Sequence, residues 1–168
     1  MRNFIILICI ALSCALLNAQ SSKKGSPAEV LIYKNQKKIN VYSSYNKNKI
    51  VNYLINDTIN EDYFVIEILK SKNNRYQINA TSIIHSGIKG WIDLRNIGIN
   101  TRQRDFKLHL YEQPNYNAKY IVVNEEVDNR IVRVTAISTD WLKITWIDNK
   151  DYWLPPKYQC CNPYTTCN

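Results

Sequence analysis

Short stretches of alternating apolar and polar residues recur in the same order twice along this 168-residue chain. Ile39-Asn-Val-Tyr42 is answered by Leu108-His-Leu-Tyr111, with the two tyrosines 69 residues apart. Each is followed by a polar turn, Ser43 to Lys49 and Glu112 to Lys119, and then by an apolar step, Ile50-Val51 and Tyr120-Ile-Val122. Tyr76-Gln-Ile78 is answered by Leu142-Lys-Ile144, and Gly90-Trp-Ile92 by Tyr152-Trp-Leu154, the last pair 62 residues apart. The drift from 69 to 62 asks for seven more residues in the first copy, several of them between Ser82 and Lys89. An ordered recurrence of this kind means that one small structural unit is used twice.

The unit is built of strands. Alternation with a period of two places successive side chains on opposite faces of a sheet, and β-branched and aromatic residues suit that surface. Val30-Leu-Ile-Tyr33, Tyr63-Phe-Val-Ile-Glu-Ile-Leu69 and Ile131-Val-Arg-Val-Thr-Ala-Ile137 are further segments of this kind, separated by clusters of Asn, Asp, Gly and Pro. No window sustains the i, i+3, i+4, i+7 pattern of a helix. The expectation is an all-β protein with one unit over residues 30–100 and a second over 101–168. Ser86-Gly-Ile-Lys89 and Asp148-Asn-Lys-Asp151 are the expected hairpin turns.

Ahead of the repeat stands a segment with the pattern of a signal peptide. Arg2 gives a positive start, Phe4 to Leu17 is apolar apart from Ser13, and Leu17-Asn-Ala19 supplies a small residue before a cut. The apolar run is shorter than the roughly 20 residues that span a bilayer. Residues 1–19 are therefore expected to be removed, with 20–29 as a flexible leader of a secreted or periplasmic chain. Cys14 after Ala11-Leu-Ser13 loosely fits a lipoprotein cleavage box, but Ala11 stands where that box usually has Leu, so lipidation ranks second. No later segment has the length and hydropathy of an integral membrane span.

Removal of Arg2 lowers the formal charge from +8 to +7. The lysines form no run beyond Lys23-Lys24 and Lys37-Lys38, and Asn, Lys, Ile and Tyr are all abundant together. The charge thus reads as a compositional bias, and nucleic acid is not an expected partner.

Three cysteines follow the leader, Cys160, Cys161 and Cys167, an odd set for an oxidising compartment. Adjacent cysteines rarely bridge one another, so either Cys160 or Cys161 is expected to pair with Cys167. His85 and His109 lie far from them and share no ligand spacing, so no metal is expected. The chain has no Gly-x-Ser-x-Gly, no His-Glu-x-x-His and no phosphate loop, and Glu61-Asp62 and Glu125-Glu126 read as solvated turns. Neither an enzyme nor a cofactor is expected.

Leu110-Tyr111-Glu-Gln-Pro114, Asp140-Trp-Leu-Lys-Ile144 and Tyr152-Trp-Leu154 together resemble the bacterial SH3 domain family. The first copy departs further: it keeps Gly90-Trp91, where the second has Tyr152-Trp153, but has Arg75-Tyr76 in place of Trp141-Leu142. The tail from Trp153-Leu-Pro-Pro156 to Cys167 is similar to the end of certain exported proteins with such domains. The resemblance implies two tandem SH3-like β-barrels after the signal peptide, and a Cys160–Cys167 disulfide. It also implies a non-catalytic binding module that recognises peptidoglycan or an envelope peptide. Its candidate groove residues are Tyr111, Trp141, Trp153, Tyr42 and Trp91. Tyr111 and Trp141 are expected at the accessible surface, and Trp91 and Trp153 toward the core. A structural protein that docks partners in the envelope is the alternative.

Overall fold

The computed structural model describes residues 28–33, 38–102, 107–124 and 131–163. The segment expected to be a signal peptide, most of the expected leader, Cys14 and Cys167 lie outside these residues. The first half contains β1 (Ala28–Ile32), β2 (Ile39–Ser44), β3 (Lys47–Leu54), β4 (Val65–Lys72), β5 (Arg75–Thr81), β6 (Ile88–Asp93) and β7 (Ile97–Thr101). The second contains β8 (Leu108–Tyr111), β9 (Tyr120–Val123), β10 (Ile131–Ser138), β11 (Trp141–Thr145), β12 (Asp151–Leu154) and β13 (Gln159–Cys160). Two 3-10 turns, Leu94–Asn96 and Pro156–Tyr158, stand at matching places after β6 and β12. Among the described residues no α-helix forms, and no helix is long and apolar enough to cross a membrane.

The protein is all-β, and every strand pairing is antiparallel. The strands run as one sheet in the order β3-β2-β6-β5-β4-β1-β7-β10-β11-β12-β8-β9, with β13 returning to β7. The sheet is open, with β3 and β9 at its edges. Two separate units were expected from the sequence; their strands instead continue into one another through β1 and β7.

The sequence repeat is matched in the register. Tyr42 lies opposite Trp91, and Trp91 opposite Gln77; Tyr111 lies opposite Trp153, and Trp153 opposite Lys143. Both central hairpins carry a register shift at the same step, after Ile68 in β4 and after Val134 in β10. The extra residues of the first half can therefore be placed. Gln77 and Trp91 are 14 residues apart where Lys143 and Trp153 are 10, so four of the seven extend the β5–β6 loop. The other three precede β4. The first hairpin turns at Ser82–Gly87, earlier than Ser86–Lys89, because Ile88 and Lys89 already pair with Ala80 and Asn79. The second turns at Ile147–Lys150, where Asp148 accepts from the Lys150 amide at 3.0 Å.

β7 joins the halves. Its start pairs with β1 (Leu31 opposite Gly98), its middle with β10 (Val132 opposite Ile99), and its end with β13 (Gln159 opposite Thr101). All five of its residues are buried. A side chain at Gly98 would meet the Val132 carbonyl at 2.8 Å, so the close approach of β10 requires glycine there. The boundary expected between residues 100 and 101 falls inside this strand.

One hydrophobic core runs through both halves. Equivalent positions face it: Val41 and Leu110, Ile78 and Ile144, Ile92 and Leu154 are all fully buried. Burying a side chain of this size contributes about 1.5–3 kcal/mol. Gly90 and Tyr152 show how the halves differ within the same frame. A Cβ at Gly90 would collide with Val41 and lie 2.9 Å from the Tyr42 carbonyl, whereas Tyr152 packs into the core and its hydroxyl donates to Asp148 at 2.9 Å.

The tail is a strand of the sheet. Pro155 and Pro156 end β12 and open the second 3-10 turn, after which Gln159 and Cys160 pair with β7. The Gln159 amide donates to the carbonyls of Asp140 at 2.7 Å and Leu154 at 3.0 Å. Cys160 is buried and disulfide-bonded; its expected partner Cys167 lies outside the described residues. Cys161 is a free thiol that donates to Glu29 in β1 at 2.9 Å. Burial and the Glu29 carboxylate push its pKa up to about 11.

Candidate aromatic binding face

Positions opposite one another in an antiparallel register share a face. Leu108 and Leu110 point into the core, so the alternation of β8 turns His109 and Tyr111 to the opposite side. Trp141 opens β11 one residue before the core residue Leu142 and lies on that side as well. The β8–β9 loop brings Tyr116 over the two rings, β9 adds Tyr120, and the second 3-10 turn adds Tyr158.

The rings pack edge to face or tilted, the arrangements that their quadrupoles favour. Tyr111 lies 5.3 Å from Trp141 at 87°, 5.9 Å from Tyr116 at 90° and 5.2 Å from Tyr120. Tyr116 and Trp141 lie 4.8 Å apart. His109 stacks on Tyr120 at 4.8 Å and tilts against Tyr158 at 5.7 Å. The Lys157 ammonium sits 4.8 Å from the Tyr158 ring and 5.5 Å from the Tyr116 ring.

These contacts set the electrostatics. Burial raises the phenol pKa values of Tyr111 and Tyr116, the latter also through the charge of Asp140. Burial lowers the His109 pKa, and Lys157 and Lys107 lower it further. The face therefore presents aromatic rings and neutral phenols, with Lys157 and Lys107 on the His109 side and Asp140 near Tyr116. Such a surface can grip an extended ligand by stacking and fix its register by hydrogen bonds.

Tyr111 and Trp141, expected at the surface, are buried, with only 4% and 7% of their areas exposed. Tyr116 packs against both of them, and Tyr116 and Tyr120 provide the exposed area, at 55% and 50%. Trp153 is half-buried opposite Tyr111. In the first half Trp91 is buried but lies outside the core cluster, against Tyr45 at 5.5 Å. Tyr42 is half-buried under the Arg75 guanidinium, 3.9 Å above its ring. The five candidates thus fall into two groups, Tyr111, Trp141 and Trp153 in one half and Tyr42 and Trp91 in the other.

Sequence reasoning missed Tyr116, Tyr120, Tyr158 and Lys157 as members of the face. Tyr116 lies in the polar stretch Asn115-Tyr-Asn117, and Tyr158 in a tail read for its cysteines. Trp146, unassigned from sequence, is a core residue ahead of the β11–β12 turn. Among the described residues no group of three metal-ligating side chains forms.

No protein-family model matches the chain, and no curated protein matches its sequence.

Proposed function

We propose that this protein is a non-catalytic binding module of the cell envelope, made of two fused SH3-like units, that recognises peptidoglycan or an envelope peptide on the aromatic face of its second half. The observation that carries this reading is the cluster of Tyr111, Tyr116, Tyr120, Trp141 and Tyr158 with Lys157 at its side. Rigid rings on short strands give contact area at little entropic cost, and the exposed pair Tyr116 and Tyr120 is where a ligand would stack. The repeated element order, with a strand after each 3-10 turn returning to the sheet, supports the SH3-like reading.

The test is retention of the full-length chain on purified cell-wall sacculi. Wild type is expected to be retained, and Tyr116→Ala with Tyr120→Ala to be lost while its circular dichroism is unchanged. Retention that survives both substitutions would sink the reading. The assembly alternative draws on β9, an edge strand whose Tyr120, Ile121 and Val122 are exposed. A stable protein complex from cross-linked envelopes, without retention on sacculi, would favour it.

A further inference from the structure

The seven residues that distinguish the first half fall in the two loops flanking β4 and β5. One aspartate stitches these loops together. The backbones of Asp57 and Asp62 exchange hydrogen bonds at 2.8 and 2.9 Å, which closes the β3–β4 loop into a tight turn. The buried Asp62 carboxylate then accepts from the Ser82 hydroxyl and the Ile83 amide, both at 2.9 Å, and from the Ile84 amide at 3.3 Å. The β5–β6 loop is thereby held against β3 and leaves a cleft of about 330 Å³ between them. That volume lies at the low end for small-ligand sites.

The cleft has two kinds of wall. Tyr53, Ile84 and Ile88 supply exposed or half-buried apolar surface, while Asn52, His85 and Ser86 supply an amide, an imidazole and a hydroxyl. The His85 ring is held by stacking on the buried Phe64, 5.6 Å between centroids and 11° between planes. Among the described residues the His85 ring nitrogens and the Ser86 hydroxyl carry no hydrogen bond, and Asn52 engages only the Tyr53 amide. Three polar groups are thus available, and no carboxylate or guanidinium lines the wall; the neighbouring Lys38 ammonium is held 3.5 Å over the Tyr53 ring. An anion would have to draw that ammonium off the ring. A purely apolar ligand would leave the polar groups dry, at about 1–3 kcal/mol each. A sugar ring, with C–H faces and a hydroxyl rim, satisfies both walls.

We propose that this cleft binds one ring of a neutral saccharide, at a site separate from the aromatic face, with Asp62 as the positioning residue that holds the loop. The second half lacks the added residues. The probes are maltotetraose, cellotetraose and chitotetraose, titrated into the 15N-labelled full-length chain. At least one is expected to shift the amides of Asn52 to Ile55 and Ile83 to Ile88, saturating at millimolar concentration. Asn52→Ala with His85→Ala, both outside the core, is expected to weaken that binding about tenfold or more, a loss of about 1.4 kcal/mol. Tyr116→Ala should leave it unchanged, so failure of this site and failure of the aromatic face are told apart. The proposal is overturned if no tetrasaccharide shifts these amides, or if the shifts map to Tyr116 and Tyr120. It is equally overturned if binding survives the double substitution, or if an uncharged tetrapeptide, and no sugar, shifts the same amides.

Discussion

Two hairpins with the same register and the same bulge end in opposite chemistry at one position. Where β11 begins with Trp141, β5 begins with Arg75. Trp141 lies among Tyr111 and Tyr116 and helps to build an aromatic surface. The Arg75 guanidinium lies over Tyr42 and donates to Asp93 at 3.1 Å, to the Lys47 carbonyl at 2.8 Å and to Asn48 at 2.9 Å. Longer contacts reach the carbonyls of Ser44 and Tyr45. Equivalent positions at the 3-10 turn of each half differ in the same sense, Asp93 and Asn96 in the first where the second has Pro155 and Tyr158. One residue type thus turns an aromatic face into a polar lock that ties the β2–β3 turn to the sheet. The lesson is that repetition of a frame does not repeat its surface.

The strongest way to break this contrast is to remove its aromatic side. Trp141→Ala deletes a nearly buried ring from under Tyr116 and is expected to cost about 3–4 kcal/mol, the lower part of the usual range for buried tryptophan because the ring lies outside the main core. Urea unfolding measures it, and retention on sacculi should be lost together with the stability. A cost below about 1 kcal/mol would mean that the ring is not packed as described.

The polar side should yield less. Arg75→Met keeps most of the side-chain volume but leaves Asp93 with only the exposed Arg95, at 3.6 Å, and leaves the turn carbonyls without their donor. A loss of about 2 kcal/mol is expected, since the pair is only partly desolvated and solvent screens part of its attraction. Binding on the aromatic face should be unchanged. A variant as stable as wild type would show that the lock is a surface decoration.

How much of this was legible in the sequence depends on the range of the interaction. Strand positions and core faces follow from local alternation, so the two-residue spacing alone puts Ile39, Val41, Ile78 and Ile144 inside. The ordered repeat equates Tyr42 with Tyr111 and Trp91 with Trp153, while the pairing of Tyr42 with Trp91 and of Tyr111 with Trp153 appears only in the register. The sharing of β7 was not legible, because Ile97-Gly-Ile-Asn-Thr101 carries no mark of three partner strands. Nor was the lid on Trp141, since Tyr116 sits in a polar loop without periodicity and reaches its neighbours only when the loop folds over. Arg75 read as divergence, and only its five acceptors reveal a substitute structure. Asp62 looked like half of a solvated acidic pair, while its buried carboxylate is fixed by amides about twenty residues away.

The smallest effect lies in the turns that lead into these two residues. Asn73-Asn74 precedes Arg75 with both residues at positive φ, 50° and 59°. Thr139-Asp140 precedes Trp141, and Thr139 has φ 58°. The left-handed region crowds Cβ against the backbone, and β-branching adds to that crowding, whereas Asn visits it readily. Thr139→Asn should therefore raise stability by about 0.5–1 kcal/mol, and Asn73→Thr should lower it by a similar amount. Paired thermal melts would show shifts of opposite sign. The turn has a second tie, because the Asp140 carbonyl accepts from Gln159 at 2.7 Å and so couples the start of β11 to the tail strand. If Thr139→Asn stabilises the fold and leaves ligand retention intact, the strain is a local accident of the second hairpin. If it stabilises the fold but weakens retention, the strained turn is part of how Trp141 is set beneath Tyr116, and the two hairpins differ in purpose as well as in sequence.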